Sequence, residues 1–396
     1  MKILLINKFH YIQGGADRHY LELADILKAN GHEVVFFSMK NANNIECQQS
    51  KYFVDYLDFS KVKLDKNLFK KIGRMFWSGK AQKNLQQLID DEKPDIAHLH
   101  NIYHQISPSI IKTLKKNNIP VVMTVHDYYL VSPLYSLFAK GKVFNPDKWK
   151  YWQVIINRAV KNSLAASVLS STVNWWHKLR RHYTKIDLFI CPSQFLANHL
   201  KKIYPQANIH VLPNFVKELD NENNTIGNYY IYAGRIIEEK GVDLILQAAK
   251  KLPDVNFRIA GAGPAKEELE KEYKLSNVKW MGQLNSQQLF KELSCAKAMI
   301  VPSRWYENCP LSVLESLSLG IPVIASNMGG IPEIVKDKEN GLIFENDNPT
   351  DLLEKIKLID KDDNLRKKLA NNAKFTSANY SVKNYYNKLY SLYESL

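Results

Sequence analysis

Two glutamates eight positions apart, Glu307 and Glu315, close the run Pro302-Ser303-Arg304-Trp305-Tyr306-Glu307-Asn308-Cys309-Pro310-Leu311-Ser312-Val313-Leu314-Glu315. With a helix beginning near Pro310, Glu307 stands at its mouth and Glu315, about two turns on, lies on its inner face among Val313, Leu314 and Leu317. A carboxylate in so apolar a segment costs energy unless it has polar partners, and sugar hydroxyls are suitable ones. The free amides of the helix start suit an anion. The plainer reading is a surface acid followed by a helix acid paired to Lys or Arg. A second group, Gly234-Arg235-Ile236-Ile237-Glu238-Glu239-Lys240-Gly241, follows an apolar run and opens a helix. Arg235 with its fork and Lys240 as a point charge suit a diphosphate. The G-x-x-x-x-G-K-[ST] spacing of a P-loop is absent from that stretch. Gly14-Gly15 offers backbone amides for close approach to phosphate. His126 ends an apolar strand, where it can bond a substrate hydroxyl or make a local turn contact with Asp127.

These residues need a scaffold that brings strand ends together. Apolar runs at Lys2–Asn7, Glu33–Ser38, Pro94–His100, Ile119–Asp127 and Ile186–Ser193 alternate with helical stretches, which predicts a parallel sheet covered on both faces. After Val216–Asn228, rich in Asn, Glu and Asp, the alternation restarts at Tyr229–Ala233, Val255–Ala260, Ala298–Pro302 and Pro322–Ser326. The expectation is two doubly wound α/β domains, residues 1–215 and 216–379, facing each other across a cleft. The helix 380–396, with Tyr380, Tyr385, Tyr386, Tyr390 and Tyr393, is expected to pack back across the first domain. In such sheets ligands bind beyond the carboxyl ends of the strands. Gly261-Ala262-Gly263 has Lys266 where a dinucleotide fingerprint has its third glycine, which argues against an NAD-dependent oxidoreductase. Asp360-Lys361-Asp362 follows a Lys/Glu-rich helix and reads as solvated surface rather than a metal-binding pair.

The chain has 396 residues, 45% hydrophobic and 24% charged, an ordinary globular balance that rules out disorder over most of its length. No run approaches the length of a membrane span, and the opening apolar stretch is too short for a signal peptide. Cys47, Cys191, Cys295 and Cys309 form no CxxC pair, so neither a disulfide framework nor a zinc site is indicated and a reducing cytoplasm is expected. Residues 1–215 hold 30 Lys+Arg against 15 Asp+Glu, whereas 216–396 hold 24 against 25, so the whole net charge of +14 belongs to the first half. Lys61–Lys83 carries eight cations and one acid, Asp65, with Leu64, Leu68, Ile72 and Met75 at helical spacing. Trp175–Tyr183 mixes aromatic and basic residues in the same way. Either can lie on an anionic membrane surface or be an ordinary helix with a solvated lysine face. Nucleic acid is the other partner a basic surface suggests, but no zinc-finger, RNA-recognition or basic-zipper pattern accompanies it.

Taken together, these motifs resemble the retaining glycosyltransferases of family 4, which share the GT-B fold of two facing Rossmann-like domains. The resemblance runs over nearly the whole chain: Gly14-Gly15, His126, Pro192-Ser193, Pro213-Asn214, Gly234-Arg235 with Lys240-Gly241, Pro302-Ser303, Glu307 to Glu315, and Gly329-Gly330-Ile331-Pro332-Glu333-Ile334-Val335. It implies that Glu315 binds the nucleotide ribose and Glu307 the donor sugar. Arg235 and Lys240 would hold the diphosphate and neutralise the leaving group without a metal or other cofactor. Gly15 would contact phosphate, His126 a sugar hydroxyl, and Asn308, Cys309, Pro310 and Leu311 would line the sugar site. The implied reaction is a front-face displacement through an oxocarbenium-like ion pair. His126-Asp127-Tyr128-Tyr129 and the basic first half look like bacterial members that build surface polysaccharides, lipopolysaccharide among them, on lipid-linked acceptors at the inner membrane face. The implied donor is a UDP-sugar ahead of a GDP-sugar, and the transfer is of hexosyl type. Asn308-Cys309-Pro310 stands where many relatives have Gly-Phe-Gly, so donor identity does not carry over. A sugar-nucleotide epimerase of the same fold and a nucleic-acid-binding protein are the rival expectations.

Overall fold

The computed structural model describes residues 1–58, 68–218 and 226–396. The first domain is a six-stranded sheet built from β1 (Lys2–Ile6), β2 (Glu33–Phe37), β3 (Ile96–Leu99), β4 (Val121–Thr124), β7 (Leu188–Cys191) and β8 (Ile209–Val211), in the order β2-β1-β3-β4-β7-β8. Every pairing in it is parallel. A short antiparallel hairpin, β5 (Phe138–Ala139) and β6 (Lys142–Val143), projects from the loop after β4. Crossovers are made by α1 (Gly15–Ala29), α2 (Leu68–Phe76), α3 (Gly79–Glu92), α4 (Ser109–Lys116), α5 (Tyr151–Ile156), α6 (Leu164–Leu179) and α7 (Gln194–Ile203). Strands buried at nearly every position explain why these runs are continuously apolar rather than alternating.

The second domain repeats the design with β9 (Tyr229–Ala233), β10 (Asn256–Ala260), β11 (Val278–Gly282), β12 (Ala298–Val301), β13 (Val323–Ser326) and β14 (Gly341–Phe344). Their order is β11-β10-β9-β12-β13-β14, again all parallel. Its helices are α8 (Val242–Lys251), α9 (Lys266–Glu272), α10 (Ser286–Ser294), α11 (Leu311–Ser318), α12 (Ile331–Ile334), α13 (Pro349–Lys361) and α14 (Asp363–Ser377). The last helix, α15 (Val382–Glu394), leaves this domain and buries Tyr385, Leu389 and Tyr393 in the first domain's core with Ile3, Leu5, Val122 and Leu188. Strand order reverses between β1 and β3 in one sheet and between β9 and β12 in the other, and ligand crevices open at such switch points.

Within the basic stretch Lys61–Lys83, Leu68–Phe76 form α2, and Ser78 then accepts a bond from Ala81 N and starts α3. Lys61, Lys63, Leu64 and Lys66 lie outside the described residues. Of the cations that are described, Lys80 is paired to Asp55 and Arg74 bonds the Asp55 carbonyl. Asp360 and Asp362 are exposed, as expected of a surface pair, the first holding Lys297 at 2.7 Å and the second capping α14. Among the described residues no helix is long and apolar enough to cross a membrane.

Candidate functional site

The loops that follow β9 and β12 meet at the second sheet's switch point. Glu307 is buried there, and its Oε1 accepts three bonds: from Lys240 Nζ at 2.5 Å, Ser303 Oγ at 2.6 Å and Trp305 Nε1 at 2.7 Å. Burial alone would push this carboxyl up, but the Lys240 charge and the three donors outweigh it and hold Glu307 below the usual carboxylate range. The ammonium also sits 5.0 Å over the Trp305 ring. Arg304 locks the two loops together. Its guanidinium forks onto both oxygens of Asp243 in the first turn of α8, at 2.6 Å each, and reaches Asp347 at 2.6 Å. Gly329, at φ +63°, follows β13 and presses on the Glu307 backbone, where a Cβ would stand 2.2 Å from the Glu307 carbonyl oxygen. Arg235 is exposed on the loop after β9 and makes no ion pair with any described residue.

The segment from Glu307 to Glu315 is also the joint between the domains. Glu315, on α11, is buried and takes a 2.5 Å bond on Oε1 from Arg18 of α1, whose Nε holds Glu22 at 3.0 Å. Burial raises the Glu315 carboxyl above its ordinary value even with Arg18 beside it. Asn308 accepts from Ser193 Oγ at 2.5 Å and donates to the Val125 carbonyl at 3.1 Å, one residue before His126. Glu333 of α12 receives the amides of Gln194 and Phe195, both at 2.7 Å, so its charge caps the start of α7. Gly15 stands exposed at the start of α1, where a Cβ would meet Leu311 at 3.8 Å. Gly14 is its exposed N-cap, and Pro310 is the N-cap of α11.

His126 belongs to a stack of imidazoles. Its Nε2 lies 2.9 Å from His100 Nδ1, and His100 stacks in turn on His98. His19 of α1 packs edge-on against His126, with centroids 5.1 Å apart. Burial drives all four pKa values down, those of His19 and His98 to about 3, so the stack is neutral. His19, His100 and His126 each offer a nitrogen within 4.8 Å of the others. This set contains no carboxylate, the ligand type that diphosphate-bridging cations take.

The structure therefore brings Glu307 to Lys240, and sets Leu311 against Gly15 and Glu315 against the helix that Gly15 begins. Three side chains have partners that sequence reasoning did not name. Lys240 already holds Glu307, which leaves two of its three donors for another ligand. His126 bonds His100 rather than Asp127, whose carboxylate accepts from Tyr129 N. Cys309 points into the core, not the crevice. Its Sγ accepts from Asn214 N at 3.3 Å, and burial lifts its thiol to about 12. Sequence reasoning gives Arg18 and Trp305 no role and names Ser303 only as part of the Pro302-Ser303 motif, without its bond to Glu307. Ser303 and Trp305 lie four and two residues before Glu307 and were within reach of local reading. Arg18, 297 residues from its partner, had no local signal.

Residues 13–218 match the family model described as Glycosyltransferase Family 4, and residues 216–375 match the one described as Glycosyl transferases group 1. The chain is 30% identical over 235 residues to an uncharacterized glycosyltransferase of Methanocaldococcus jannaschii, a stretch covering 58% of this chain and 66% of that protein, just under two thirds of its length. It is 25% identical over 362 residues to an uncharacterized 42.6 kDa protein in the cps region of Klebsiella pneumoniae, covering 87% of this chain and 90% of that one. An Anabaena protein solved in complex with UDP superposes over 100% of both chains with a TM-score of 0.68 at 15% identity, the likeness of a shared GT-B fold. The first family model alone spans more than half of the chain, its partner takes up the second domain, and the protein is a glycosyltransferase belonging to family 4.

Proposed function

We propose that the protein is a retaining, metal-independent hexosyltransferase that uses a nucleoside diphosphate sugar, a UDP-sugar ahead of a GDP-sugar. The observation that carries this reading is the buried Glu307 carboxylate, kept ionised by Lys240, Ser303 and Trp305, with Arg235 exposed on the loop after β9 and in no ion pair with a described residue. A buried carboxylate with a free Oε2 can accept sugar hydroxyls, and the cations beside it meet the diphosphate in place of a divalent ion. Glu315 accepts from the ribose through the oxygen Arg18 does not occupy. The amides at Gly14-Gly15 approach the phosphates from the other domain, and His126 faces a sugar hydroxyl through Nδ1. The backbone of Asn308, Cys309 and Pro310, with Leu311, forms the wall of the sugar site. The bond from the anomeric carbon to the β-phosphate oxygen breaks with both electrons going to the phosphate. The acceptor oxygen attacks from that same face, and its proton passes to the leaving phosphate. Arg235 and Lys240 stabilise the charge that develops there.

The acceptor is a lipid-linked precursor of a surface glycan, presented at the cytoplasmic face of an anionic membrane. The relative from a cps region and the basic first domain support this reading. A thermal-unfolding panel with UDP, GDP, CDP, dTDP and NAD tests the donor. UDP at about a hundred times its Kd should stabilise the chain by about 2.7 kcal/mol, and NAD should not. Glu307→Gln should fold, bind UDP and lose transfer. Full turnover in that variant, or stabilisation by NAD alone, overturns the assignment.

A further inference from the structure

Helix α6 is built inside out. It turns Ser167, Ser170, Ser171, Asn174 and His177 into the protein, with Val173 as the one large aliphatic side chain on that buried face. Leu164, Val168, Trp175 and Leu179 are left 43–57% exposed. With Thr172 among them these positions recur at spacings of four, four, three and four, so they form one stripe about 22 Å long. The inner face is held by polar bonds to the loop that follows His126. Ser170 Oγ donates to the Pro133 carbonyl at 2.9 Å, Asn174 Nδ2 to the Tyr129 carbonyl at 2.8 Å, and Lys178 Nζ to the Val131 carbonyl at 3.2 Å. The stripe is therefore fixed outward by specific bonds. Beside it, α5 presents Trp152 and Ile156 one turn apart, at 55% and 68% exposure. Soluble monomers rarely leave so contiguous an apolar face in water.

What covers it follows from the charge around it. Residues 145–185 contain eight Lys and Arg and a single acid, Asp147, which Lys202 and His199 already occupy at 2.7 and 2.9 Å. A second copy of the chain would bring the same cations face to face, and nucleic acid would leave the aliphatic stripe unmet. An anionic phospholipid surface satisfies both: acyl chains take the stripe, headgroups take the cations, and tryptophans sit at the boundary. We propose that the α5–α6 face docks on an anionic phospholipid surface and, through its bonds to residues 129–133, holds the loop after His126 at a fixed height above it. This places a membrane contact on α5–α6. The docking stands independently of the donor reading; only its purpose, presenting a lipid-borne acceptor, rests on that reading.

The test is co-sedimentation of the full chain with vesicles of equal phosphatidylglycerol and phosphatidylcholine, beside vesicles of phosphatidylcholine alone. The wild type should sediment with the anionic vesicles and not with the neutral ones. Trp175→Ser combined with Leu179→Ser should weaken that binding about tenfold or more, since half of each side chain loses its apolar partner. The side chains changed are exposed, so thermal unfolding and UDP binding should match the wild type, which separates this surface from the donor site. The proposal is overturned if the wild type stays in the supernatant or if the double variant sediments as before. It is equally overturned if light scattering shows a wild-type dimer that the double variant converts to monomer, because the stripe then covers a second copy.

Discussion

Arg18→Gln should damage the joint between the domains in a way that depends on pH. Glu315 is 4% exposed, and among the described residues Arg18 is the one cation bonded to it, by a 2.5 Å contact. Removing one partner of a buried ion pair costs about 3–5 kcal/mol when the other charge stays put. That is the ceiling here, because Glu315 has another response available: it can take up a proton. Its carboxyl is already raised above its ordinary value of 4.5 by burial, against the pull of Arg18. Without Arg18 the folded-state value climbs further while the unfolded value stays where it was. Between those two values the folded state binds the extra proton, so stability falls as pH rises through that window, by at most about 1.4 kcal/mol per pH unit. The variant should therefore unfold much more easily than wild type at pH 8, and the gap should narrow at pH 5. Urea unfolding at both pH values measures it, and Arg18→Gln with Glu315→Gln completes a double-mutant cycle. In that double variant no charge is left uncompensated, so it should recover much of what the single Arg18 variant loses. A small loss that is the same at pH 5 and pH 8, with additive single and double variants, would refute the coupling between these two side chains.

Lys240→Met removes the main opponent of burial at Glu307, so its carboxyl should move from below to above the ordinary value. The acid limb of the pH–rate profile should shift upward and the rate should fall about 10²–10³-fold; an unmoved limb would contradict the pairing. Gly330→Ala places a Cβ 2.0 Å from the Asn308 carbonyl oxygen and 2.7 Å from Ser193 Cβ. It should lose about 1–3 kcal/mol in urea unfolding, and a neutral result would mean that this close approach is not required.

The elements were legible because parallel strands buried on both faces appear as unbroken apolar runs, as Ile3–Ile6 and Val121–Met123 do. The pairing of Lys240 with Glu307 follows from topology, since both lie just past strand ends that a doubly wound sheet brings together at its switch point. What could not be read was whatever depends on how one domain meets the other. Nothing local distinguishes Arg18 from any helix cation, or Glu333 from a first-turn acid of its own helix, although Glu333 caps a helix of the opposite domain. The stripe on α6 was half visible: Trp175 and Leu179 stood in a basic cluster, but an apolar helix face normally points inward. The bonds of Ser170, Asn174 and Lys178 to the loop before the β5–β6 hairpin show that this one points out.

One segment carries both the candidate donor chemistry and the domain contact, and this decides how variants must be interpreted. Glu315 reaches Arg18, Asn308 reaches Ser193 and the Val125 carbonyl, and Cys309 reaches Asn214, all across the joint. A loss of activity on changing any of them mixes a missing ligand contact with a loosened joint. Glu307 is different in its side chain. All three donors to its carboxylate, Lys240, Ser303 and Trp305, come from its own domain, and only its backbone carbonyl meets the other domain, through the Tyr128 hydroxyl at 3.3 Å. Glu307→Gln leaves that carbonyl in place and keeps an amide oxygen for the same donors. Any activity it loses beyond its change in stability is therefore chemistry at the carboxylate rather than displacement of the domains.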